Sequence, residues 1–238
     1  MFFIVIIVIL LYLLFLVYMT KPIVSYSMAS AAALGDSFGI INTLFSGLAF
    51  AGLLITILLQ REELKESREM FKSQRFEDSF YRLLDFYRNN LSEISITVDN
   101  DKITGIASLS HQLRRFQQST KSLNIPTIND NETDKIFERI DNTLTHQSRY
   151  LGTLESLLSL VMMDAPHSVD KIFYIKLISS QLTIHEIKYI FYRCLSLDTD
   201  SELVKLMENS RLLHLRIRES DISDKYIDLY NNKHGSCL

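Results

Sequence analysis

Glycine, proline and cysteine are scarce in this chain of 238 residues, which holds 7 Gly, 3 Pro and 2 Cys. Beyond residue 60 only three glycines and two prolines remain, too few for the turns of a β-rich fold. Cys194 and Cys237 form no closely spaced pair, as a reducing compartment allows. These shortages predict an all-α fold.

The sequence signatures of common enzyme sites are also missing. There is no G-x-G-x-x-G, no Walker-type loop and no G-x-S-x-G elbow. The histidines form neither an H-x-x-x-H nor an H-E-x-x-H pair, so a zinc site has no local support. A net charge of -3 gives no global field that would steer nucleic acid. We therefore expect no enzyme, no metal and no cofactor.

Charged residues are absent from two stretches near the N-terminus, Phe2–Met19 and Phe38–Leu59. The second would form about 33 Å of helix at 1.5 Å per residue, which matches the roughly 30 Å hydrocarbon core of a bilayer. A spanning segment must satisfy its own backbone, so a helix is expected. Residues 1–60 are predicted to be a transmembrane hairpin with helices at about 2–19 and 38–59.

A cleaved signal peptide is the alternative for the first stretch, because Ala29-Ser30-Ala31 offers an A-x-A site. The stretch lacks a basic n-region, it exceeds the usual 7–15 apolar residues, and the site lies about ten residues past its end. An uncleaved membrane helix is therefore favoured.

The distribution of Lys and Arg predicts the orientation in the membrane. The loop from Thr20 to Ser37 carries only Lys21, whereas five basic residues follow the second helix: Arg61, Lys65, Arg68, Lys72 and Arg75. Both termini are therefore expected in the cytoplasm, and the predicted location is a bacterial inner membrane.

Residues 61–238 are predicted to form a cytoplasmic α-helical bundle. Good helix formers without a breaker extend the second membrane helix over about 61–97. A turn is expected at Asp99-Asn100-Asp101, a helix over Ile103–Lys121 and a loop over Asn124–Thr133. A single helix is predicted from Asp134 to about Met163.

That long helix carries a heptad pattern with Gln147 at one core position. A seam within the bundle and an oligomer contact both fit it. Ser168 and Thr183 are predicted N-caps, the latter in a capping box with Glu186.

A last helix is predicted over Ser201–Arg218. On it Arg211, His214 and Arg218 would share one face, with Arg216 nearby. This face is a candidate nucleic-acid contact, and an ordinary solvated face is the alternative.

The second membrane helix carries the most informative pattern. Small and polar residues follow one another in steps of four and three: Gly35, Gly39, Asn42, Ser46, Ala49, Leu53, Thr56 and Gln60. Such a face is typical of helix contacts rather than lipid, and a buried amide such as Asn42 needs a partner. The face either packs on the first helix or on a copy of itself, or lines a water-filled path between several copies. Gly47 and Ala51 form a separate small-xxx-small pair suited to a second contact.

Several sequence segments between residues 35 and 84 form one recognisable pattern. They are Gly35-Asp36-Ser37-Phe38-Gly39, Asn42, the run from Leu44 to Leu53 that includes Gly52, Gln60, Glu63-Leu64, and Gln74-Arg75-Phe76-Glu77 with Phe80, Leu83 and Leu84. Together they resemble a phage abortive infection family of bacterial two-helix membrane proteins. A weaker likeness extends from Tyr174 to Leu213.

The resemblance implies anti-phage defence. In related systems two-helix membrane proteins serve as toxic retron effectors beside a reverse transcriptase and its RNA–DNA product. We therefore expect an effector that oligomerises and permeabilises the inner membrane on infection. A membrane-anchored sensor or binding module, whose helices only hold it in place, is the alternative function, and an anchored enzyme whose site is not evident is a third.

The hypothesis of a membrane-damaging effector assigns roles to particular residues. Those expected to act in the membrane are Asp36, Asn42, Ser46, Gly47 and Gly52. Arg75, Phe76 and Glu77 are the expected hinge, and the alternative is a tight helix start that packs Phe76 and Phe80 into the core.

Overall fold

The computed structural model describes residues 2–19, 28–121, 130–235 and 238. Helix accounts for 82% of the structure and strand for 4%, which confirms the all-α prediction. The chain divides into two units, Met1–Lys65 and Glu66–Leu238.

The longest element is α2, which follows α1 (Phe2–Met19) and spans Met28–Glu93 in one uninterrupted helix. It begins upstream of the predicted start at Phe38, so residues 28–37 are helical rather than part of a loop. The predicted continuation beyond Leu59 is confirmed, because the residues after it are strong helix formers. Its predicted end near residue 97 is wrong, since the helix stops at Glu93.

A small β-hairpin follows α2, where the sequence predicted only a turn. Strand β1 (Ser95–Val98) pairs antiparallel with β2 (Asp101–Thr104). Asp99 and Asn100 both have positive φ, 50° and 72°, which is the geometry of a two-residue type I′ turn. Helix α3 (Gly105–Lys121) therefore starts two residues later than predicted.

The predicted single helix over 134–163 is wrong, because it is two helices, α4 (Asp130–Thr143) and α5 (Ser148–Met162). Gln147 is the N-cap residue of α5 rather than a core residue. The Tyr189 hydroxyl stabilises the break between α4 and α5. It donates to the Thr145 carbonyl at 2.7 Å and accepts from the Gln147 N–H at 3.2 Å.

The other positions of the predicted heptad seam lie inside the chain's own core, which supports a seam within the bundle. All are at most 4% exposed: Ile140, Leu144, Leu151, Leu154, Leu158 and Val161. Of the predicted loop over 124–133, residues 130–133 are helical, and residues 124–129 lie outside the described residues.

The remaining elements are α6 (Lys171–Gln181), α7 (Ile184–Ser196), α8 (Glu202–Ser210), α9 (Leu212–Arg216), a 3-10 turn (Ile217–Glu219) and α10 (Asp224–His234). The capping box of α7 is confirmed, with the Thr183 N–H donating to Glu186 Oε2 at 2.8 Å. Ser168 is not a cap: Asp170 caps α6 by accepting from the Ile172 N–H at 2.9 Å.

The core of the second unit is built around α7, nine of whose 13 residues are buried. A helix that is buried on most sides belongs at the centre of a bundle. The later part of α2 contributes Phe76, Phe80, Leu84 and Tyr87, all at most 7% exposed and spaced along one helical face.

Candidate functional site

The first part of α2 has an exposed and largely apolar surface. Among the described residues it is the one helix long and apolar enough to cross a membrane. Its large apolar side chains are exposed, with Ile40 at 73%, Phe50 at 62% and Leu58 at 64%. An exposed apolar surface of this size marks a membrane or a partner. The described apolar segment of α1, Ile7–Met19, is shorter.

The predicted small and polar face lies entirely on α2, and nothing described covers it. Each small or polar residue predicted to act on this helix is helical and exposed: Gly35, Asp36, Gly39, Asn42, Ser46, Gly47, Gly52, Thr56 and Gln60. A Cβ atom placed on any of the four glycines would meet no described atom within 4 Å. The ring contact of α1 falls elsewhere, at Phe38, where Tyr12 meets it edge-on at 6.4 Å. The glycines therefore remain open to a further partner.

A groove of about 900 Å³ runs along this part of α2. Two rows in steps of four residues line it: Gly35, Gly39, Thr43 and Gly47, and beside them Asp36, Ile40, Leu44 and Leu48. The predicted face followed steps of four and three, so it missed Thr43 and treated Gly47 as separate. The tandem four-residue spacing of small side chains, which favours close helix approach, was the signal for this groove.

The polar groups on this helix differ in how they are satisfied. Thr43 Oγ1 donates to the Gly39 carbonyl at 2.8 Å, and Thr56 Oγ1 donates to the Gly52 carbonyl at 2.9 Å. Such a bond to the carbonyl four residues earlier satisfies the hydroxyl within its own helix, without a partner from another element. The Asn42 amide has no hydrogen bond to any described residue. An amide left open at bilayer depth is a candidate functional group.

Arg75, Phe76 and Glu77 lie in the middle of α2, where the helix is unbroken. The alternative of a tight helix start is therefore wrong, although its expectation of core packing is confirmed. Tyr174 of α6 packs edge-on against Phe76 and Phe80, with ring centroids 5.0 and 4.8 Å away. Its hydroxyl donates to Glu77 Oε1 at 3.4 Å. Burial, followed by the Glu77 charge, raises the pKa of Tyr174.

A second polar connection joins α2, α5 and α7 deep in the core. The Tyr87 and Tyr150 hydroxyls donate to Glu186 Oε1 at 2.6 and 2.9 Å, and they also contact each other. The other carboxylate oxygen accepts from the Thr183 N–H and hydroxyl, both at 2.8 Å. Burial is the main reason that the pKa of both tyrosines is raised.

The sequence predicted the capping role of Glu186 and missed this cluster. Tyr87 lies 63 positions from Tyr150 and 99 from Glu186, and Tyr150 lies 36 positions from Glu186. No local pattern signals such contacts.

Another buried polar group lies where α4 and α5 meet α7. Arg193, 6% exposed, donates to Asp141 Oδ1 at 2.7 Å and to His146 Nδ1 at 3.0 Å. Arginine can only donate, so Nδ1 of His146 accepts. Burial, followed by the Arg193 charge, lowers the pKa of His146.

The predicted basic face at Arg211, His214 and Arg218 does not exist as one helical face. Arg211 has a left-handed backbone, φ 53°, and separates α8 from α9. His214 lies in α9 and is half-buried, whereas Arg218 lies in the following 3-10 turn. The helical spacing on which this nucleic-acid prediction rested is therefore wrong.

No family model, curated protein or solved structure matches this chain.

The described residues on α2 offer a surface for association and contacts that join this helix to the second unit. Within the part of the chain that is described, no three His, Cys, Asp or Glu side chains are grouped to hold a metal ion. Burial raises the pKa of the Cys194 thiol to about 12, so the nucleophilic thiolate is suppressed. The features that remain are the open face of α2 and the buried contacts that fix the same helix in the second unit.

Proposed function

We propose that this chain is an anti-phage defence effector of the bacterial inner membrane. On infection, copies associate through α2 and permeabilise the membrane, so the cell dies before the phage matures. The observation that carries the proposal is the uncovered small and polar face of α2, with its open Asn42 amide. The resemblance of residues 35–84 to an abortive infection family supports it.

The proposed topology is a two-helix hairpin formed by α1 and α2, with both termini and residues 61–238 in the cytoplasm. The excess of Lys and Arg directly after Leu59 supports this orientation. A cytoplasm-dependent fluorescent reporter fused after Leu238 tests it: it should fluoresce, and a dark reporter would place the C-terminus outside.

The proposed partners are the membrane and further copies of the chain. A reverse transcriptase with its RNA–DNA product, or another defence-system protein, would keep the chain in its resting state and release it from that state on infection. Since α2 has no break between Asn42 and Tyr87, a rearrangement around Tyr87 acts on the helix that carries Asn42. This continuity supports a coupling role for Arg75, Phe76 and Glu77 without a local hinge.

The decisive experiment measures membrane potential in living bacteria with a potential-sensitive dye, with and without phage challenge. Wild type is compared with Asn42→Leu and with Leu58→Ile, a control on an exposed apolar position, at equal membrane levels. We expect collapse in wild type and in the control, and an intact potential in Asn42→Leu. Collapse in all three would remove Asn42 from the mechanism.

The alternative is a membrane-anchored sensor module. The large core of the second unit, to which α2 contributes only residues from Phe76 onward, favours it. An intact potential in all variants, together with undiminished protection from phage, would establish this alternative. An unrelated two-helix hairpin should then replace residues 1–60 without loss of function.

A further inference from the structure

A groove of about 630 Å³ opens on the second unit between the last turns of α2 and the first turns of α5. It is separate from the groove along the apolar part of α2. The Tyr87–Tyr150 contact joins the same two helices, and these residues follow the lining residues Phe86 and Arg149 directly in the chain. Anything bound here would touch the junction of α2 with the bundle.

The lining of this groove is rich in amides and hydroxyls. Asn89 and Ser148 line it, and their side chains make no hydrogen bond to any other described residue. Asn90 Nδ2 donates to Thr153 Oγ1 at 2.7 Å, which leaves the Asn90 amide oxygen as an acceptor. Donors and acceptors of this kind match uncharged polar groups in a ligand.

The charges in the lining compensate each other. Arg149 Nη1 lies 3.1 Å from Glu93 Oε2, and both side chains are largely exposed. A groove with one cation and one anion has no net field for a phosphate backbone, which needs unpaired Lys or Arg. Nucleic acid is therefore a poor match.

One end of the groove is apolar. Leu83 and Phe86 line it, and Phe86 remains 52% exposed although it stands beside the bundle core. An exposed aromatic ring next to open amides offers a contact for one apolar side chain.

We propose that this groove binds an extended peptide segment of a partner protein. A peptide main chain presents alternating N–H and C=O groups, which suit Asn89, Asn90 and Ser148, while Phe86 takes an apolar side chain. The distance from Phe86 to Glu93 along α2 is about 10 Å at 1.5 Å per residue, which an extended peptide covers with about three residues. Occupancy would alter the α2–α5 junction, so the peptide is the trigger; this role rests on the proposed function, whereas binding does not.

Gly152 provides a way to close the groove without damaging the fold. It lies in the groove wall on α5, and a Cβ atom placed there would meet no described atom within 4 Å. Gly152→Gln puts a long side chain into the groove. Gly152→Ala is the matched control, because it changes the same backbone position and leaves the groove open.

The experiment uses the full chain in lipid nanodiscs and a yeast-displayed library of random heptapeptides. Peptides enriched on wild type are measured against both variants, and a ten-nucleotide single-stranded DNA is added as competitor. We expect binding retained in Gly152→Ala, at least tenfold weaker binding in Gly152→Gln, and no competition by DNA. Thermal unfolding of each variant establishes that the fold is intact.

Three results would overturn the peptide site. They are the absence of any enriched peptide, equal affinity for Gly152→Gln and Gly152→Ala, and displacement of the peptide by DNA. Because binding is measured without phage or toxicity, it is independent of the membrane potential. Groove binding together with an intact potential in infected cells would remove only the trigger role.

Discussion

The two units of the chain use the same helix in opposite ways. In the first unit α2 exposes its large apolar side chains, as at Ile40, which is 73% exposed. In the second unit it buries the large apolar side chains of one face, as at Phe80, which is fully buried, although Phe86 on another face stays 52% exposed. Ile40 and Phe80 are both apolar positions on one helix, so the residue type alone does not indicate whether the side chain is exposed or buried in the core. What distinguishes them is the neighbourhood: open glycines in the first unit, and aromatic rings of other helices in the second.

The largest expected difference in stability between the two units comes from a pair of truncations, Phe80→Ala and Phe50→Ala. Removing the buried ring leaves a cavity beside Phe76 and Tyr174, which should destabilise the second unit by about 3–5 kcal/mol. Removing the exposed ring leaves no cavity. Denaturant unfolding of the full chain in detergent, followed by circular dichroism, measures both. Equal losses would mean that Phe50 is packed in the same way as Phe80.

Glu186→Ala tests the polar part of the buried environment. The Tyr87 and Tyr150 hydroxyls and the Thr183 N–H would all lose their acceptor, and we expect a loss of about 3 kcal/mol. The exposed Glu138 of α4 provides the control, because Glu138→Ala should change stability by less than about 0.5 kcal/mol. A loss no greater than that of the control would show that the cluster contributes nothing to folding.

Two glycines of the second unit should respond to alanine in opposite directions. Gly105 has φ 62° and donates its N–H to the Ile94 carbonyl at 2.7 Å, so Gly105→Ala should cost about 1–2 kcal/mol. Gly152 is helical, and Gly152→Ala should add about 0.5–1 kcal/mol. Thermal unfolding of the two variants side by side measures this difference. A melting temperature raised by both would contradict the strained conformation at Gly105.

The smallest expected effect is a dependence of stability on pH. Because the folded pKa of His146 is lowered, the unfolded chain binds its proton more readily, and stability is lost as pH falls through about 6.5. His234 shifts in the same direction. His146→Asn keeps an acceptor for Arg193 and should reduce the loss of melting temperature between neutral and mildly acidic pH. An unchanged pH dependence would assign it to His234 or to carboxylates.

Two predictions that rest on local chemistry are confirmed. The unbroken helix beyond Leu59 follows from helix propensity, and the α7 capping box follows from Thr183 and Glu186. The predicted single helix over 134–163 is wrong because a distant residue decides the structure there. The break between α4 and α5 is held by Tyr189, 42 to 44 positions away from the backbone groups it bonds, and no local pattern marks it.

Two wrong predictions have a cause that is visible in the local sequence. The β-hairpin was missed although Asp99-Asn100, a pair that tolerates positive φ, stands between two short segments that contain β-branched residues, Ile96–Val98 and Asp101–Thr104. The groove on α2 was only half predicted. The predicted face followed alternating steps of four and three residues, whereas the groove follows steps of four, which include Thr43.

The burial of α7 makes its amides a built-in reference for hydrogen exchange. With nine of 13 residues buried, these amides should exchange with deuterium mainly when the whole second unit opens. Amides of the β-hairpin, where Asp99 and Asn100 are exposed, should exchange by local opening. A change in β-hairpin exchange with α7 unchanged would thus reveal a rearrangement in a unit that stays folded.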